Sequence, residues 1–240
     1  MKTTYKISFI FLIYSLILIL SGYINYLICY ILIMFFHELG HIITIKLLKY
    51  KINSITIFPG GGIINTNIEY NINSLHLFLI SISGITMQMF LYLLIPNTFI
   101  YYDIFINLNT SLIIFNLLPI IPNDGYKITI SILEQFFSYK ITNYIVLMIS
   151  LISLFILLIT TKNILIFIIL YMINTKQFIL QKHILNKFLL ERYLHKKKYK
   201  KNKKIKNIKQ IHKCRNNYMI CDKIITEEEV LLDKYFMSTY

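Results

Sequence analysis

The stretch Phe36-His37-Glu38-Leu39-Gly40-His41 decides the fold. It is an H-E-x-x-H pattern set inside the apolar run 26–48. Residues at i and i+4 share one helix face, so His37 and His41 can point at a single metal ion. Glu38, beside the first imidazole, can reach a water held by such an ion. Two imidazoles that hold zinc and a carboxylate that takes a proton from water make a hydrolytic centre. Chance matches to five residues occur in ordinary helices, and the alternative is a helix end with two hydrogen-bonded histidines. The setting argues against that alternative. A charged side chain in mid-membrane costs roughly 2.5–3.5 kcal/mol, so it persists where it has a function.

The surrounding composition supports the membrane setting. Of the 240 residues, 56% are hydrophobic, and mean hydropathy is +0.61. This excludes an ordinary soluble domain, and the apolar runs are long enough to cross a bilayer. The predicted fold class is an all-α membrane protein with about six transmembrane helices and a short re-entrant or membrane-edge β-hairpin. The spans run roughly 7–21, 26–48, 75–95, 104–121, 141–160 and 164–180, with a tight turn at Gly22-Tyr23-Ile24-Asn25. The first run lacks a small-residue cleavage site after it and reads as a retained helix.

Charge orients the chain. The net charge is +14, and 17 of the 25 lysines and arginines lie from Lys176 onward. Six spans place 24 of these cations on one side and only Lys162 on the other, which predicts cytosolic N- and C-termini. The domain reading is a membrane domain over residues 1–182 and a basic cytosolic tail over 183–240. A solvated charge run is the expectation for that tail, with anionic lipid as a partner. Nucleic acid is not expected, since no motif accompanies the charge. Cys29 reads as a buried small hydrophobe, and a Cys214–Cys221 disulfide is not expected in a cytosolic tail.

Between the second and third spans, Ile and Thr alternate before Pro59-Gly60-Gly61-Gly62. This predicts two short strands around a glycine bend. Such a hairpin offers a strand edge with which an unwound substrate segment can pair, through Gly61 and Gly62. A plain surface hairpin is the alternative.

A catalytic zinc takes a third protein ligand and leaves a fourth position open. Glu69 lies in the hairpin loop, Asp103 at the opposite end of the fourth span, and Glu134 in an amphipathic stretch beyond it. His76 opens the third span and reads as an interfacial residue. Asp124 alone combines suitable depth with a break: Pro119, Pro122 and Gly125 interrupt the helix around it. The alternative for Asp124 is a capping residue at a helix terminus.

With these residues in view, the chain resembles the site-2 proteases, a family of intramembrane zinc metalloproteases, and within it the stage IV sporulation FB-like branch. His37-Glu38-Leu39-Gly40-His41 matches the family's first motif. Asn116-Leu117-Leu118-Pro119 with Pro122-Asn123-Asp124-Gly125 matches its second, and Ile82-Ser83-Gly84 its small-residue motif. The chain departs from the family at Tyr126, where a second glycine is common, and at Ile85, where proline is usual. The resemblance implies one zinc ion per chain, held by His37, His41 and Asp124, with Glu38 as the base. It also implies Asn116 as an aid to the oxyanion, although a polar contact between helices is the slightly favoured reading of that residue. By the same resemblance the substrate is a membrane-tethered protein cut near the cytosolic face, such as a late pro-sigma factor in a sporulating bacterium. The site of action would then be the membrane around the forespore, and inhibitor or regulator proteins in the membrane are possible partners. Some relatives end in a nucleotide-binding module, for which the tail here is too short. A metal-carrying transporter or a non-catalytic binding protein of the same fold is the competing class. Glu38 separates the two, because a carrier has no use for a base beside its ligands.

Overall fold

The computed structural model describes residues 3–195, 199, 201–220 and 224–226. Part of the lysine run (196–198 and 200), Cys221 and the chain from 227 onward lie outside the described residues. The chain divides into two compact units, the first made of 1–69 and 79–117 and the second of 70–78 and 118–240.

The first unit opens with strand β1 (Thr4–Ile7), followed by α1 (Phe9–Leu20) and α2 (Ile24–Leu47). The sequence places residue 7 onward in a span. The backbone instead stays extended through Ile7, because β1 pairs in parallel with β2 (Ile52–Phe58). Ser8 then starts α1 by accepting a hydrogen bond from the Phe11 amide on its side chain, at 3.1 Å. None of the twelve residues of α1 is buried. An apolar helix with no buried face finds its low-energy surroundings in lipid rather than water. The turn expected at residue 22 is present: Gly22 has φ +79°, a value that favours glycine.

Helix α2 buries Leu27, Cys29, Ile33, His37, Gly40, His41 and Ile45. The four-residue spacing from Cys29 to Ile45 lays the two histidines along its packed stripe. Cys29 and Ile33 pack with Leu91 of α3 (Ser74–Leu94) and Phe105 of α4 (Tyr102–Leu117). The predicted hairpin forms: β2 runs antiparallel to β3 (Gly61–Thr66), with Ile57 opposite Gly62 and Phe58 opposite Gly61.

The second unit contains α5 (Asp124–Leu133), α6 (Tyr139–Thr161), α7 (Ile164–Ile179) and α8 (Gln181–Leu194). A left-handed Lys162 (φ 53°) joins α6 to α7. Their contact carries a buried polar link, in which Ser150 donates to Asn174 Oδ1 at 2.7 Å and accepts from the Ile121 amide at 3.2 Å. Polar links of this kind bind apolar helices together where lipid supplies no hydrophobic drive.

The described part of the tail is folded rather than a solvated run. Strands β4 (Asn202–Lys204), β5 (Asn216–Ile220) and β6 (Ile224–Thr226) form a second three-stranded sheet. Tyr139, Phe188, Leu189, Ile205 and Ile211 make a buried cluster. The Tyr139 and Phe188 rings stack at 3.8 Å. Buried Glu134 accepts from Lys213 Nζ at 2.8 Å and from the Ser74 hydroxyl at 2.5 Å. Arg192 donates to the main-chain carbonyls of Lys213 and Arg215. The many lysines hid this arrangement from a composition argument.

Among the described residues the fold is mainly helical with two small mixed sheets, which refines the all-α expectation. Among the described residues, three helices are long and apolar enough to cross a membrane: α2, α3 and α6. Helix α7 and the segment 183–194, bent by 59°, make a fourth by length and composition if the pair is one span. Helices α1 and α4, with 12 and 16 residues, are shorter than the usual spanning length.

Candidate metal centre

Helix α2 presents His37 and His41 on its buried face, with exposures of 4% and 6%. Their Nε2 atoms lie 3.1 Å apart. The opposite nitrogens fix the tautomers. His41 Nδ1 sits 2.7 Å from the main-chain carbonyl oxygen of Ile80, and His37 Nδ1 sits 3.0 Å from Gln88 Oε1. The Ile80 carbonyl can only accept, so His41 Nδ1 carries the proton in the neutral ring, and Gln88 Oε1 at His37 Nδ1 favours the same tautomer there. The two Nε2 lone pairs then converge, and such a pair calls for a cation between them. This is the usual arrangement of metal-ligating imidazoles, each held from behind by a hydrogen bond.

The helix opposite is shaped to leave room for these rings. A Cβ on Gly84 would stand 2.6 Å from His41 Nε2 and 2.7 Å from His37 Cε1. A Cβ on Gly40 would run into the main-chain carbonyl of Ser83. Only glycine at both positions lets α2 and α3 approach closely enough to carry the pair. Gly84 was legible as part of a small-residue motif. The Ile80 carbonyl was not legible, because main-chain acceptors leave no trace in sequence.

Glu38 points to the hairpin. Its Oε1 accepts from the Gly62 amide at 2.6 Å. Its Oε2 is buried and has no hydrogen-bond partner among the described residues. The carboxylate is therefore held by one oxygen and open at the other. The hairpin tip is tied in turn to α2, since the Tyr30 hydroxyl donates to the Pro59 carbonyl. Gly61 lies beside Glu38 with φ +133°, and a Cβ there would stand 3.5 Å from Glu38 Oε1.

Asp124 is the first residue of α5 and is 4% exposed. Its Oδ1 accepts from Lys127 Nζ at 3.0 Å. The expected break is present, with α4 ending at Leu117 and α5 starting seven residues later. Asp124 begins the helix rather than capping it, because Asn123 occupies the cap position. Asn116 is half-buried near the end of α4.

His37 and His41 lie in the first unit and Asp124 in the second, and all three are buried. Two neutral imidazoles suit a zinc ion, which takes a third protein ligand and leaves a fourth position open. The converging lone pairs and the space kept by Gly84 make the two histidines a fit for that ion.

The comparisons concern the fold and part of the sequence. The chain has the fold of a site-2 protease. It covers 91% of the solved Site-2 Protease from Methanocaldococcus jannaschii over 76% of its own length, with a TM-score of 0.50 and 22% identity. A curated relative is Stage IV sporulation protein FB of Bacillus subtilis (strain 168), 30% identical over 117 residues. That match takes in 46% of this chain and spans 41% of the relative's length. No family model matches the chain. The resemblance read from the two motifs is thus borne out by both a fold and a sequence likeness.

Proposed function

We propose that this chain is an intramembrane zinc metallopeptidase that cuts a membrane-tethered protein near the cytosolic face. The observation that carries the reading is the pairing of two Nε2 lone pairs, 3.1 Å apart, with a carboxylate one residue away that is anchored by a single oxygen. His37, His41 and Asp124 would hold the ion. A bound zinc supplies Lewis acidity, which makes water nucleophilic near neutral pH and polarises a carbonyl. Glu38 receives the proton of the attacking water on Oε2 and delivers it to the leaving amine. The Gly62 amide keeps Oε1 in place during that transfer. Asn116 is the candidate for a further contact to the oxyanion.

Substrate enters as an extended strand. A helical segment hides its carbonyls in its own hydrogen bonds, so it must unwind before attack. Strand β3 ends the order β1-β2-β3, and its Gly61 and Gly62 lie beside Glu38. An unwound segment that adds to this edge passes next to the base.

The proposed topology has six spans and cytosolic termini, with α1, α4 and the bent α7–α8 pair joining the three longer helices. The basic tail faces anionic lipid. The likeness to a sporulation protein favours a pro-sigma factor as substrate and the membrane around a forespore as the place of action.

Co-expression with membrane-tethered pro-proteins tests the reading, with cleavage followed by gel. Cleavage that is lost in Asp124→Asn but kept in Asp103→Asn is the expected result. Cleavage and zinc content that both survive in Asp124→Asn would place the third ligand elsewhere.

A further inference from the structure

We infer that Gln88 sets the tautomer and the aim of the His37 ring, and is thereby a positioning residue for the metal. The inference rests on the zinc reading above and concerns a residue that never touches the ion. Gln88 is fully buried in α3. Its Oε1 lies 3.0 Å from His37 Nδ1. Its main-chain carbonyl accepts from Asn109 Nδ2 of α4 at 3.0 Å, which fixes the residue against a second helix. Its own Nε2 is buried and has no hydrogen-bond partner among the described residues.

That imbalance is informative. An amide whose nitrogen is buried without a partner is a poor choice for packing alone, since leucine would fill similar volume with no polar group to bury. What glutamine offers here is the oxygen. An acceptor at Nδ1 keeps the proton on that nitrogen and leaves Nε2 bare. Without it the ring can take the other tautomer, whose Nε2 proton excludes a metal. His41 receives the same support from a main-chain carbonyl, which no side-chain substitution removes. Gln88 is therefore the replaceable half of a two-part support.

The test uses the full chain in detergent, stripped of metal and titrated with zinc against a competing chelator. Cobalt absorption spectra are recorded on the same preparations. Gln88→Leu should weaken zinc affinity by about 10- to 100-fold, the usual loss when a ligand's outer partner is removed. Gln88→Met, also without a strong acceptor, should match it. Gln88→Glu restores an acceptor of the same shape and should bind at least as tightly as wild type, with a wild-type cobalt spectrum. Wild-type affinity in Gln88→Leu or Gln88→Met would overturn the inference, as would equal weakening in Gln88→Glu. A wild-type chain that takes up no zinc overturns the metal reading itself, a result distinct from either of these.

Discussion

The Gly62 amide donates to Glu38 Oε1 at 2.6 Å, and a Cβ on Gly62 would stand 2.6 Å from that carboxylate's Cδ and from Oε2. The hairpin and the base are therefore in contact with no room for a side chain between them. Gly62→Ala should push the Glu38 carboxylate aside while leaving both histidines in place. Zinc content should stay near wild type, and cleavage should fall by about 100-fold or more, the range that general-base catalysis contributes. Metal analysis and a cleavage assay on one preparation check this. Full activity in Gly62→Ala would detach the hairpin from the base.

Gly84 makes the complementary case. Its missing Cβ leaves the space taken by both imidazoles. Gly84→Ala should tilt the rings and cut zinc affinity by about tenfold or more, the scale seen when ligand orientation is lost. Chelator competition reads the change. Unaltered affinity would show that α3 can recede at little cost.

The two glycines also mark where the sequence was legible. The H-E-x-x-H spacing, the Pro-Gly-Gly-Gly bend and the break before Asp124 each depend on local chemistry, and each appears where expected. What the sequence hid depends on distant partners. The extended backbone at Thr4–Ile7 exists because β2 pairs with it 50 residues later. The Gln88 and Ile80 acceptors become meaningful only once α3 lies against α2. The tail misled most, because a lysine-rich stretch reads as solvated until one sees Lys213 neutralised by Glu134.

That buried ion pair makes its own prediction. Lys213 and Glu134 have side chains only 3% and 1% exposed. Lys213→Met leaves a buried carboxylate without its cation, a change that costs about 3–5 kcal/mol. Hydrogen exchange at the amides of Asn216–Ile220 should speed up strongly. Adding Glu134→Gln should recover most of the protection, because neither charge then remains buried. Unchanged exchange in the single variant would mean that β5 does not depend on the pair.

His212 gives the tail a pH dependence. Burial, then the nearby Arg215 and Lys203 cations, push its pKa below the usual histidine value. The folded state therefore binds this proton less well than the unfolded chain. Stability is fully present above about pH 6.5, the unfolded value, and is lost as pH falls through the lowered folded value. Exchange protection around Asn217, whose side chain bonds the His212 main chain at 2.9 and 3.0 Å, should fall on acidification. His212→Asn should flatten that dependence. An identical profile in the variant would assign it to another group.

The central claim is that Glu38 is the base beside a zinc ion that His37 and His41 help to hold. Glu38→Gln keeps both imidazoles and removes the base. Zinc content and cleavage of a membrane-tethered substrate, measured on one purified preparation, test it most directly. The expected result is wild-type zinc and no detectable cleavage. Cleavage near the wild-type rate, or a wild-type chain that carries no zinc, would contradict it.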